Sequence, residues 1–231
     1  LTPRNPAIPS GETVTSTRPA PFLITTATAP IARFLCAHGA GGAMDSPFLE
    51  TFAKLLQERD IETLRFEFAY MAGRRDGGKK RPPPKAETLV PEFRSILAKA
   101  GTRGAPLLIG GKSMGGRIAS LVADEAFAAK QATGLVCLGY PFHPPNKPEN
   151  LRTAHLEALS CPALIVQGDR DPFGPRYEVE AMTLSPSITL HWAPDGDHDL
   201  GPRGASGFTR KGNLAAAADA VAAFAARITG R

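Results

Sequence analysis

The sequence predicts an α/β fold, a mostly parallel, doubly wound sheet with helices on both faces. Three observations lead there. Seven short apolar runs are spread along the chain. Amphipathic helical patterns fall between most of them, the alternation expected of βαβ units. Several runs are almost continuously apolar and bounded by Gly or Pro, as strands covered on both faces are.

The elements follow in order. Residues 1–19 are rich in Pro, Thr and Ser without a period and read as a loose arm, which leaves 20–231 as a single domain. Strand patterns occupy 21–28 (PFLITTAT) and 32–39 (ARFLCAHG). Ser46 and Pro47 then open a helix whose Phe48, Phe52, Leu55 and Leu56 share one face. A strand at 61–68 precedes residues 74–85 (RRDGGKKRPPPK), read as a loop from their Gly and Pro content. A helix starting near Glu87 carries Leu89, Phe93, Ile96 and Leu97 at helical spacing. The run at 105–111 leads through a Gly-rich turn into a third helix, begun by Ile118, Leu121 and Val122. After the strand pattern at 133–140 come the turn Phe142-His143-Pro144-Pro145 and a helix near Leu151, too short a stretch for a cap domain. Strands at 162–168 and 187–193 follow, and Leu214, Val221, Phe224 and Ile228 stripe a C-terminal helix.

Composition narrows the class. The chain has 231 residues, 42% apolar and 21% charged, ordinary for a globular domain and too apolar for disorder. No apolar run approaches the ~18 residues of a membrane span, and the first residues lack a signal-peptide core. Cys36, Cys137 and Cys161 show no metal-ligand spacing and read as buried thiols in a reducing compartment, so a cytoplasmic location is expected. The net charge of +5 is local: residues 74–85 hold six basic residues and one acid, leaving 21 of each sign elsewhere. Nucleic-acid binding is therefore disfavoured, the more so because no aromatic residues are interleaved with the basic ones for stacking. The stretch suits steering of an anionic small molecule, or plain solvated surface.

The chemistry centres on Gly111-Lys112-Ser113-Met114-Gly115, a G-x-S-x-G between a strand and a helix. Such a turn lifts the serine hydroxyl above the sheet and aims the next N–H, that of Met114, at a developing oxyanion. Gly111-Lys112-Ser113 also matches the tail of a phosphate-binding loop. That loop needs Gly at position 106, where Pro106 stands, and flexible backbone where Leu107, Leu108 and Ile109 read as strand. Nucleotide binding is rejected.

A serine hydroxyl needs a general base, itself oriented by a carboxylate. His198 lies between the last strand and the last helix, where a base is expected. His191 falls inside a strand, and His155 reads as a solvated helix residue. The carboxylate should follow the strand LIVQG, which offers Asp171, favoured because it stands past the turn, with Asp169 as the fallback. The order Ser113, Asp171, His198 is nucleophile, acid, base. Asp195, Asp197 and Asp199 alternate like a calcium loop, but Leu200 and Ser206 stand where Gly and Glu are required, so no metal and no cofactor are assigned. His38-Gly39-Ala40-Gly41-Gly42 follows the second strand and should supply the other oxyanion donor, from Ala40 or Gly41. His38 is expected to brace this loop, and His38, Lys112 and His143 are further candidates for touching substrate.

The segments HGAGGAMDSPF, RFEFAYMAGRR, GGKSMGGRIASLVADE, CLGYPFHPP, LIVQGDRDPFG and PDGDHDL, in this order across residues 30–228, resemble the small α/β-hydrolases related to dienelactone hydrolases. More narrowly they resemble the bacterial members grouped with testis-expressed protein thirty and the third subunit of the NSL chromatin complex. The resemblance implies an α/β-hydrolase fold with Ser113 as nucleophile, Asp171 as acid and His198 as base. Its eukaryotic relatives include scaffold subunits. The expectation is a serine hydrolase acting on an ester, thioester or related acyl bond of a small molecule, an anionic one if the basic stretch steers it. The alternative is a scaffold that retains the hydrolase fold. Oligomeric state is left open.

Overall fold

The computed structural model describes residues 21–230 apart from Asp76, Lys80, Arg81 and Arg103. The expected arm, 1–19, lies outside the described residues. All seven strand patterns form strands: β1 (Leu23–Thr25), β2 (Ala32–Ala37), β3 (Ile61–Phe66), β4 (Leu107–Lys112), β5 (Gly134–Leu138), β6 (Ala163–Gly168) and β7 (Ile188–Ala193). They join in one sheet of order β1-β3-β2-β4-β5-β6-β7. Only the short edge strand β1 runs antiparallel, pairing Leu23 with Arg65. The other pairs are parallel, in the register Ala37–Gly111, Gly111–Cys137 and Gly168–Ala193.

The alternation of side chains along each strand fills two cores. Leu35, Ile109, Leu135, Cys137 and Ile165 point to one face, where α3 (Ala86–Ala100) lays down Leu89, Phe93, Ile96 and Leu97 and α4 (Met114–Ser120) lays down Ile118. Phe34, Cys36, Leu108, Val136, Leu164 and Val166 point to the other. That face is covered by Phe48, Phe52 and Leu56 of α1 (Pro47–Gln57) and by Leu214, Val221 and Phe224 of α7 (Arg210–Thr229). Burying an aliphatic or aromatic side chain of this kind stabilises by roughly 1.5–3 kcal/mol, which is why the two stripes dictate where the helices dock. The three cysteines are free and buried in these cores, and burial pushes the thiols of Cys36 and Cys161 up to about 12. Among the described residues no helix is long and apolar enough to cross a membrane.

Several local expectations are corrected. The third helix breaks into α4 and α5 (Ala123–Ala128), where Ser120 Oγ turns back to donate to the Arg117 carbonyl at 2.7 Å, a bond that bends helices. The stretch 74–85 is not wholly a loop, because Arg74 and Arg75 close α2 (Ala69–Arg75). Near Leu151 there is no full helix, only a 3-10 turn at Ala154–Leu156, and the next helix is the short α6 (Arg176–Val179) after β6. His155 on that turn is half-buried rather than solvated: its Nε2 lies 2.8 Å from Ser120 Oγ, and burial lowers its pKa. Between β5 and β6 no cap domain intervenes.

Candidate active site

Parallel strands deliver their carboxyl ends to one edge of the sheet, and loops from β2, β4, β6 and β7 meet there. Ser113 follows β4 directly, with φ 51° and ψ −117°. That is the backbone of the first central position in a type II′ turn, normally a glycine. Its own N–H donates to the Leu138 carbonyl at 2.9 Å, pinning the turn to β5. Gly115 permits the geometry, since a Cβ there would stand 2.6 Å from the carbonyl oxygens of both Ala37 and His38. α4 therefore starts hard against the end of β2.

His198 comes from the loop after β7. Its Nε2 is 2.9 Å from Ser113 Oγ and its Nδ1 is 2.8 Å from Asp171 Oδ2. A carboxylate only accepts, so Nδ1 carries the proton and Nε2 is left to accept from the serine hydroxyl. Asp171 is fully buried, with every oxygen engaged. Its Oδ1 accepts from Phe173 N–H at 2.9 Å, and its Oδ2 also accepts from Gln167 Nε2 at 3.0 Å. Asp169 is not brought to His198; it lines a separate hollow with Arg170 and Arg176. Gly168 lets the histidine loop close over β6, because a Cβ there would meet the carbonyls of Asp197 and Gly196 at 2.3 and 2.4 Å.

The acids around His198 are each occupied. Asp195 pairs with Arg170 and Arg203, and those Arg203 contacts hold its carboxyl down to about 2. Asp197 Oδ1 accepts from the N–H groups of Asp199 and Gly201. Asp199 Oδ1 lies 3.2 Å from Lys112 Nζ. These contacts hold the loop in its own conformation.

Of the three further candidates for touching substrate, only Lys112 reaches the cavity. It is buried, its Nζ donates to the His198 carbonyl at 2.7 Å, and that burial lowers its pKa against the pull of Asp199. Lys112 thus ties the serine turn to the histidine loop. His38 is a brace only: Nδ1 donates to the Gly39 carbonyl at 2.6 Å and Nε2 accepts from Phe68 N–H at 3.2 Å, so both nitrogens are used and burial keeps its pKa low. His143 is buried away from the cavity, with Nδ1 against the Pro144 carbonyl and Nε2 beside Glu178 Oε2 at 2.8 Å, misaligned for a hydrogen bond.

The cavity over Ser113 has a volume of about 510 Å3. Gly39 to Gly42 form one wall, Phe48 and Leu49 of α1 another, and Phe173, His198, Asp199 and Arg210 the rest. Tyr70 holds the glycine loop by donating its hydroxyl to the Ala40 carbonyl at 3.2 Å. No described residue of 74–85 lines this cavity. Arg75 is instead clamped by Glu67 and Asp45, at 2.7 and 2.8 Å, which spends its charge on the protein itself.

Sequence reasoning missed Gln167, Phe173, Tyr70 and Phe48. Gln167, entirely buried, was signalled by a lone amide inside the apolar strand LIVQG. Phe173, whose ring centroid lies 4.3 Å from that of His198 with the planes tilted by 35°, had no such signal.

A family model for the alpha/beta hydrolase domain matches residues 30–226. The chain belongs to that family. Among solved structures, this α/β hydrolase is similar to an alpha-beta serine hydrolase homologue from Coxiella burnetii, with 20% identity and TM-score 0.63 over 87% of this chain and 89% of that one. It is similar to Est1E from Butyrivibrio proteoclasticus, solved with ferulic acid bound, with 17% identity and TM-score 0.66 over 91% and 95% of the two chains. It is also similar to a dienelactone hydrolase from Anabaena variabilis, with 19% identity and TM-score 0.62 over 87% and 88%. At these identities the likeness is one of fold.

Proposed function

We propose that this α/β hydrolase is a serine hydrolase that cleaves a carboxyl ester, thioester or related acyl bond of a small molecule through an acyl-enzyme. The observation that carries the reading is the unbroken hydrogen-bonded chain from Ser113 Oγ through His198 to a buried, fully satisfied Asp171 at the floor of an open cavity. Relatives of like fold described as an esterase and a dienelactone hydrolase support the choice of bond.

In this reading Ser113 Oγ attacks the acyl carbonyl while its proton passes to His198 Nε2. Asp171 stabilises the imidazolium and holds the ring in its tautomer. The tetrahedral oxyanion takes hydrogen bonds from the Met114 N–H, free of intrahelical partners at the start of α4, and from the N–H of Ala40 or Gly41. Collapse breaks the bond to the alcohol or thiol, which leaves with the proton from Nε2. A water then repeats the sequence on the acyl-serine, releasing the carboxylic acid and restoring Ser113. Each oxyanion donor of this type contributes roughly 3–4 kcal/mol to the transition state.

The test is hydrolysis of p-nitrophenyl acetate and a short acyl thioester. Ser113→Ala and His198→Ala should each lower kcat by about 10^4-fold or more, and Asp171→Asn by about 10^4-fold. Rates untouched by all three substitutions, in folded protein, would remove the hydrolase reading and leave the scaffold alternative.

A further inference from the structure

Beside the cavity over Ser113 lies a second hollow of about 420 Å3 in the crevice between α1 and the first turn of α7, and Pro47, Phe48 and Arg210 line both. The floor and walls of this trough are apolar, made by Pro47, Phe48, Leu55 and Leu214. Beyond Leu55 and Leu214 the helices are stitched shut by Arg59, which donates to the Leu55 carbonyl at 2.7 Å and to Asp219 at 2.6 Å. The trough is therefore closed by Arg59 at one end and borders the serine cavity at the other, where the two share Pro47, Phe48 and Arg210.

Two cations stand on its rim. Arg210 lies at the junction of the two hollows and Lys211 over the trough alone. Both are exposed, and neither has an ion-pair partner among the described residues. Their neighbours differ: Arg59, Arg170 and Arg203 are all bound to carboxylates. The first turn of α7 holds no acid, and cations at the start of a helix gain nothing from its dipole.

We infer that the trough receives the acyl arm of the substrate: an unbranched, apolar chain of medium length that bears an anionic group, a carboxylate in the form tested, met by Arg210 and Lys211. This inference rests on the serine-hydrolase reading and names its substrate class. The shared residues Pro47, Phe48 and Arg210 place the arm's inner end on the side of Ser113. The apolar walls favour burial of its methylenes. The unpaired cations supply the charge complement. It also moves the anion-recognising role away from residues 74–85, whose described members do not line either hollow.

The experiment compares p-nitrophenyl acetate, p-nitrophenyl octanoate and the mono-p-nitrophenyl ester of octanedioic acid. The wild type should rank them acetate, octanoate, half-ester in rising kcat/KM. Arg210→Gln with Lys211→Gln should lower the ratio of half-ester to octanoate about tenfold, the scale of one lost charge-assisted contact. Thr51→Trp, which fills the trough from its exposed α1 side, should lower the ratio of octanoate to acetate. Acetate hydrolysis without any chain or charge preference would overturn the inference and leave the hydrolase reading standing. Absent acetate hydrolysis would strike at the hydrolase reading instead. A third measurement needs no turnover: calorimetric binding of octanedioate monomethyl ester to Ser113→Ala protein should weaken about tenfold in the Arg210→Gln, Lys211→Gln background. Equal affinity in both backgrounds would overturn the assignment of the two cations.

Discussion

The backbone of Ser113 permits an unusual expectation, that its glycine variant is more stable than its alanine variant. At φ 51° and ψ −117° a side chain is held where glycine is normally required, and such strain costs about 1–3 kcal/mol. Ser113→Ala keeps that strain; Ser113→Gly releases it. Both variants lose the 2.9 Å hydrogen bond to His198, so that loss cancels in the comparison. Against the release stands the greater freedom of glycine in the unfolded chain, about 0.5–1 kcal/mol. The difference should be about 1 kcal/mol in favour of glycine, or ~2–4 °C in Tm for a domain of this size. Urea denaturation followed by the fluorescence of Trp192, the single tryptophan, reads it directly. At an ordinary extended or helical position alanine would win. An alanine variant as stable as the glycine variant, or more so, would refute the claim that the serine turn stores strain.

Two other expectations follow from buried titratable groups. Burial lowers the pKa of His38, His155 and His191 from an ordinary value of 6.5. The unfolded chain therefore takes up protons before the folded one does, so stability is level above about pH 6.5 and declines below it. His155→Gln should make the decline shallower in urea titrations between pH 4 and 7; an unchanged slope would show that His155 titrates alike in both states. Lys112→Met removes the 2.7 Å bond to the His198 carbonyl together with a cation that burial disfavours. The two effects oppose each other. Stability should change by less than about 1 kcal/mol, while kcat on an activated ester falls about tenfold as the base loses its tether. A rise in KM with kcat intact would make Lys112 a substrate contact instead.

The sheet was legible because its strands are buried on both faces, which writes them as apolar runs bounded by Gly and Pro. The helices were legible where an apolar stripe meets a core, as in Leu89, Phe93, Ile96 and Leu97. What escaped depends on contacts remote in sequence. Nothing local distinguishes Ser120, at the break in the third helix, from any other helical serine until His155, remote in sequence, is brought to 2.8 Å from its hydroxyl. Arg75 reads as one of six basic residues until the fold brings Glu67 and the remote Asp45 beside it. At the site, Ser113, Asp171 and His198 stand out because each follows a strand end in a short polar loop. Asp171 and Asp169 differ by two residues in one turn, and only the fold shows which carboxylate lies at 2.8 Å from His198. The trough beside α1 has no sequence signature at all, since α7 lays Leu214, Arg210 and Lys211 against Phe48 and Leu55 from the opposite end of the chain.

The central claim is that Ser113 is a nucleophile activated by His198. A fluorophosphonate probe reports this without knowledge of the substrate, because it phosphonylates a serine only when a base removes its proton and an oxyanion site receives the charge. Incubated with wild-type protein, it should add one phosphonate per chain at Ser113, located by peptide mass spectrometry. The adduct should be lost in Ser113→Ala and slowed by about three orders of magnitude or more in His198→Ala. No Ser113 adduct in folded wild-type protein, or an adduct formed equally fast without His198, would contradict the account.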